Sequence, residues 1–166
     1  SYLSKRTDIK RTTRINLEQA RRHLLAYFGA DCRIDAITEA QAEDYFRHLL
    51  THLAANTARR LAGQAKQFLA YAVRGRLLER NPFTAIKTNI TSNPDRQAYV
   101  SVETIQRVID ACPDAEWRLI VALSRFAGLR CPSEHLALTW GDVLWDRGRM
   151  IVRSPKTEHH EGKGQR

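Results

Sequence analysis

The chain has 166 residues, 43% of them apolar, and 27 Lys and Arg against 18 Asp and Glu, a formal net charge of +9. That length and composition allow one domain or two small ones with a buried core, and exclude a disordered polyelectrolyte. No stretch is long and apolar enough for a membrane span, and the polar, basic N-terminus has no apolar core of a secretory signal. Cys32, Cys112 and Cys131 are odd in number, far apart and not in metal-ligand spacing, so reduced thiols in a cytoplasmic protein are expected.

The charge is uneven. Residues 1–90 hold 16 basic against 8 acidic side chains, and residues 91–166 hold 11 against 10. A basic first half favours a polyanionic partner, because neutralising phosphates releases condensed counterions. A solvated basic surface is the alternative.

Taken in order, the first predicted helix runs from about Asp8 to Phe28. Leu17, Ala20, Leu24 and Phe28 form its apolar stripe, and Lys10, Arg11 and Arg14 lie on a basic flank. After a loop to Ile37, Thr38 is expected to cap a second helix, with Gln41 at the capping-box position. Its stripe is Ala42, Tyr45, Phe46, Leu49, Leu50 and Leu53. Asn56 or Thr57 is expected to cap a third helix, with Leu61, Ala65, Phe68, Leu69, Ala72 and Val73 inward. Arg59, Arg60 and Lys66 crowd its outer side. A short fourth helix is predicted around Arg76 to Glu79, stopped by Asn81-Pro82. Residues 1–85 thus read as a helical bundle, and the polar run 86–98 as an interdomain linker.

From residue 99 onward, Ser101 is expected to cap a helix striped by Val102, Ile105, Val108 and Ile109. Pro113 or Asp114 starts the next, whose Ile120, Leu123, Phe126 and Ala127 predict a buried helix ending at Gly128. Arg130 follows directly. Pro132 and Ser133 open a predicted short helix, Glu134 to Leu138, returning Leu136 and Leu138 to the core. The pattern then turns to strand, 143–145 and 150–152 pairing across Asp146-Arg147-Gly148. A guanidinium at such a junction offers planar donors to a phosphate or carboxylate.

Gly128-Leu129-Arg130, then Ser133-Glu134, Leu138, Trp140 and Asp142, resembles the first catalytic box of the tyrosine recombinase (phage integrase) family, roughly G-L-R-x-S-E-x-x-x-L-x-W-x-D. Here two residues, Cys131 and Pro132, separate Arg130 from Ser133 where the pattern has one. Thr57, Arg59 or Arg60, Leu61 and Asn81-Pro82-Phe83 are similar to the same family's core-binding domain.

This resemblance implies a mainly α protein: a SAM-like helical core-binding domain (1–85), a linker (86–98) and the front of an α+β catalytic domain with a β-hairpin (99–166). It implies strand breaking and rejoining on double-stranded DNA, with no metal or other cofactor. The two domains would close as a clamp on the duplex, tetrameric in the full-length protein and monomeric in a fragment. Lys10, Arg11, Arg14, Arg59, Arg60 and Lys66 are the candidate DNA contacts. Arg130, Glu134 and a hairpin lysine that protonates the leaving oxygen are the candidate catalytic residues; Lys156 resembles that lysine best, with Lys163 in Gly162-Lys163-Gly164 as its rival. The family also needs a second arginine, a histidine or tryptophan, and a nucleophilic tyrosine. No H-x-x-R occurs in this sequence, and all five tyrosines (Tyr2, Tyr27, Tyr45, Tyr71 and Tyr99) precede Arg130. The chain is therefore expected to bind DNA without cleaving it, the alternative being a non-catalytic DNA-binding regulator or accessory protein.

Overall fold

The computed structural model describes residues 2–154 and 156. It divides into two compact units between Pro94 and Asp95. Among the described residues there are six α-helices and one two-stranded antiparallel sheet, so the protein is mainly helical.

In the first unit, α1 (Tyr2–Lys5) is a single turn and α2 spans Arg11–Phe28. The predicted helix start at Asp8 moves to Arg11, because Lys10 is extended and occupies the N-cap. The Arg14 guanidinium donates to the carbonyls of Leu3 and Arg6, fastening α1 to α2. Helix α3 (Glu39–His52) begins with the expected capping box: Thr38 Oγ1 accepts from Gln41 N–H while Gln41 Oε1 accepts from Thr38 N–H.

Helix α4 (Ala55–Arg74) starts at N-cap Ala54, which has no side-chain oxygen. Asn56 and Thr57 are not the cap. Asn56 instead turns its amide to the backbone of Thr91, donating to the carbonyl at 2.7 Å and accepting from the N–H at 3.3 Å. The predicted helix at Arg76–Glu79 is absent. Arg76 takes a left-handed conformation (φ 56°) and Leu77 N–H returns to Ala72 C=O, a Schellman ending that turns the chain off the helix.

Helices α2, α3 and α4 enclose the core: Ala20, Ala42, Tyr45, Leu49, Ala58, Leu61, Ala62, Ala65 and Leu69, closed by Phe83 and Ile86. The alanines let α4 approach its neighbours, and Tyr45 packs edge-on against Tyr27 and Phe83. Leu50, on the predicted stripe, is exposed. Residues 86–94, read from sequence as part of a linker, lie in this unit, with Ile86 in its core.

The second unit opens with α5 (Val102–Asp110) and α6 (Ala115–Phe126), packed together and capped by Ser101 and Asp114. The expected burial of α6 fails. None of its residues is buried, and Trp117, Leu119 and Phe126 are exposed. Gly128 (φ 65°) turns the chain after it. Residues 131–137 form successive turns rather than a regular helix, and Leu136 points outward, 83% exposed, not into a core. Strands β1 (Val143–Leu144) and β2 (Arg149–Met150) pair Val143 with Met150 and Leu144 with Arg149. Between them Trp145–Arg147 makes one 3-10 turn closed by left-handed Gly148. Among the described residues no helix is long and apolar enough to cross a membrane.

Candidate nucleic-acid interface and catalytic cluster

The second unit builds a cluster around Arg130. Leu129 is buried and anchors the chain just before it. Glu134, one turn on, is also buried, and its carboxylate grips Arg130 twice. One oxygen accepts from the Arg130 N–H at 2.8 Å, the other from Nη1 at 2.9 Å. Burying a carboxylate is costly unless it is paired and hydrogen-bonded, and this grip meets both conditions. The extra residue between Arg130 and Ser133 leaves the pair intact, because the Glu134 N–H still bonds to the Arg130 carbonyl.

Nη1 of Arg130 also donates to the buried Ser154 hydroxyl at 2.6 Å. Nε and Nη2 have no partner among the described residues, and the side chain is 45% exposed. The guanidinium is thus fixed at one corner and half-exposed, with two donor nitrogens left for a further partner. Ser154 draws the chain after β2 to Arg130. Lys156 is exposed and two residues further on, within about 7 Å of the Ser154 backbone. Lys163, His159 and His160 lie outside the described residues.

The same stretch is held at its other end by Asp142. Its carboxylate accepts from Thr139 N–H and Oγ1, its carbonyl accepts from Ile151 N–H at 2.8 Å, and Arg153 pairs with it. The Thr139 hydroxyl, then the Thr139 N–H and Arg153, hold the Asp142 carboxyl below its ordinary value of 3.8. Ser154 and Arg153 are parts of the cluster that sequence reasoning missed. Nothing in a short polar run marks which hydroxyl will fold back onto an arginine 24 residues earlier.

In the first unit the candidate DNA contacts fall into two groups. Lys10 and Arg11 are exposed at the start of α2. The other four are partly buried. Arg14 holds α1. Arg59 donates to Asn56 Oδ1 and Thr91 Oγ1, and Arg60 to Asn16 Oδ1 and Gln19 Oε1 on α2. Lys66 donates to the Thr84 carbonyl at 2.7 Å. Every one of these acceptors is neutral, so each cation is oriented without being neutralised. By contrast Arg6, Arg21, Arg33, Arg47 and Arg80 pair with Asp or Glu. Asn16, Gln19, Asn56 and Thr91 were not legible as partners, since each lies far in sequence from the arginine it holds or reads as an ordinary polar residue.

Comparison with known proteins follows this division. The profile of the phage integrase SAM-like domain matches residues 1–90, more than half of the chain, and covers most of the helical unit just described. The chain belongs to the phage integrase family, the tyrosine recombinases. No curated protein matches it. Among solved structures, a lambda integrase dimer bound to a COC' core site shares the fold with a TM-score of 0.78 at 17% identity, over 94% of this chain and 43% of that one. A lambda integrase tetramer bound to a Holliday junction gives the same TM-score and identity, over 94% of this chain and 45% of that one. The Tn1549 transposon integrase in complex with a circular intermediate DNA gives 0.74 at 17% identity, over 92% and 50%. The chain spans about half the length of these solved structures.

Proposed function

We propose that this chain is the DNA-binding and phosphate-recognising part of a site-specific tyrosine recombinase. The first unit grips double-stranded DNA through phosphates, with Lys10, Arg11, Arg14, Arg59, Arg60 and Lys66 as the contacts. In the second unit Arg130 receives the scissile phosphate. The observation that carries the reading is the Arg130 clamp: a buried carboxylate holds one corner of a half-exposed guanidinium whose Nε and Nη2 have no partner among the described residues. Such an arrangement stabilises charge where it develops in phosphoryl transfer and needs no reorganisation. Glu134 is a positioning residue. Lys156, two residues after the Ser154 that bonds Arg130, is the candidate proton donor to the leaving oxygen.

The chemistry joins a tyrosine oxygen to the scissile phosphorus and expels the deoxyribose 5′ oxygen, which takes up a proton. This chain has no tyrosine after Arg130, so it binds DNA and leaves both strands intact.

The test is a salt series of binding to fluorescein-labelled duplex DNA, with the chain and its Arg11→Gln/Arg59→Gln variant. Affinity should fall steeply with salt, and the slope should drop by about one per phosphate contact removed. An unchanged slope would remove those arginines from the interface. A detergent-resistant covalent adduct between this chain and a nicked suicide duplex would overturn the claim that it cannot cleave.

A further inference from the structure

Helix α3 carries two histidines outside the cluster and the basic surface, at positions 48 and 52. One helical turn separates them, so their side chains leave the same face, as two ligands in the helical H-x-x-x-H zinc motif do. Their rings lie 4.3 Å apart, inclined at 38°, and both residues are exposed. The His48 ring also rests against Tyr27 of α2 at 5.0 Å, so it is held from two sides. His52 Nδ1 lies 2.8 Å from the His48 carbonyl. A carbonyl oxygen only accepts, so Nδ1 is the donor, and in the neutral ring Nε2 is the nitrogen with the lone pair. This is how metal-binding histidines are commonly oriented, with the far nitrogen tied to a backbone carbonyl. His52 is the last residue of α3, where the aligned carbonyls favour a cation.

We propose that His48 and His52 form a two-point chelating site for a borderline divalent cation of the Cu2+, Ni2+ or Zn2+ class. No third metal-ligating side chain joins them among the described residues, so water or an external ligand completes the coordination. Asp44, one turn earlier, pairs with Arg47 instead. Two neutral imidazoles without a carboxylate select against the hard cations Mg2+ and Ca2+ and favour Cu2+ over Ni2+ and Zn2+. A bound ion would clip the last turn of α3. This site is independent of the recombinase reading and takes no part in phosphoryl transfer.

The test is calorimetric titration of the untagged chain with CuCl2, ZnCl2 and MgCl2 in neutral buffer. Binding close to one ion per chain is expected for Cu2+ and more weakly for Zn2+, with none for Mg2+. His48→Ala and His52→Ala should each weaken it by about tenfold or more, a loss that removing even a ligand's supporting hydrogen bond can cause. Both side chains are exposed, so both variants should fold, which circular dichroism checks. Paramagnetic resonance of the Cu2+ complex should show two nitrogen ligands in the parent chain and fewer in either variant. Cu2+ binding unchanged in both variants would assign the ion to other groups, the cysteines included, and overturn the site. No heat with Cu2+ or Zn2+ at millimolar concentration would overturn it equally.

Discussion

At the scale of single residues, two buried polar groups have opposite standing. The Tyr45 hydroxyl is fully buried in the helical core without a hydrogen-bond partner among the described residues, and burial pushes its pKa up. An unpaired buried hydroxyl costs free energy that a phenyl ring avoids. Tyr45→Phe should therefore be neutral or stabilise the chain by about 1 kcal/mol, read from the urea midpoint at constant slope. Asp142 is the reverse case, fully engaged by Thr139 and Arg153. Its folded-state pKa lies below the ordinary 3.8, so its contribution is present above that value and is lost as pH falls through the depressed one. Asp142→Asn should lower stability at neutral pH and flatten the loss of stability below about pH 4, measured as urea midpoints across pH.

At the scale of elements, helix starts were legible only where a local side-chain bond makes them. Thr38 and Gln41 specify α3 by a pair of bonds that needs nothing beyond four consecutive residues. Thr38→Ala should cost about 1 kcal/mol, visible as a lower melting temperature. Asn56 has the same chemistry on paper, but its amide satisfies the backbone of Thr91, 35 residues away, and the helix begins at Ala55 with no side-chain cap bond from Ala54. The missing helix after Arg76 has a similar cause. An arginine gives no sign that it will take the left-handed conformation that glycine usually takes, and that conformation ends α4.

At the scale of the molecule, the two units differ in how their apolar surface is used. The first buries most of its stripes. The second leaves Trp117 and Phe126 exposed, and Leu136, Trp140 and Trp145 exposed along a groove of about 490 Å³ that Leu119, Ile120, Leu123 and Met150 also line. Trp140 and Trp145 stack on each other at 6.2 Å. Contiguous apolar surface of this kind marks an interaction face or a source of self-association. The chain should enhance the fluorescence of an apolar dye such as ANS, and Leu136→Glu should reduce that signal while changing stability by less than about 0.5 kcal/mol. Undiminished dye binding in the variant would place the exposed surface elsewhere.

Near neighbours and residue type were enough for the apolar stripes of α2 to α4, the caps of α3 and α5, the excess of positive charge in the first half, and the family box around Arg130. The Arg130–Glu134 pair was not read from the sequence, although it needs only four residues of chain to form. Long-range packing sets which cations are held by neutral acceptors, brings Ser154 onto Arg130 and leaves the stripe of α6 uncovered. Those outcomes depend on which distant segment reaches a given side chain first, and periodicity says that a face is apolar without saying what covers it.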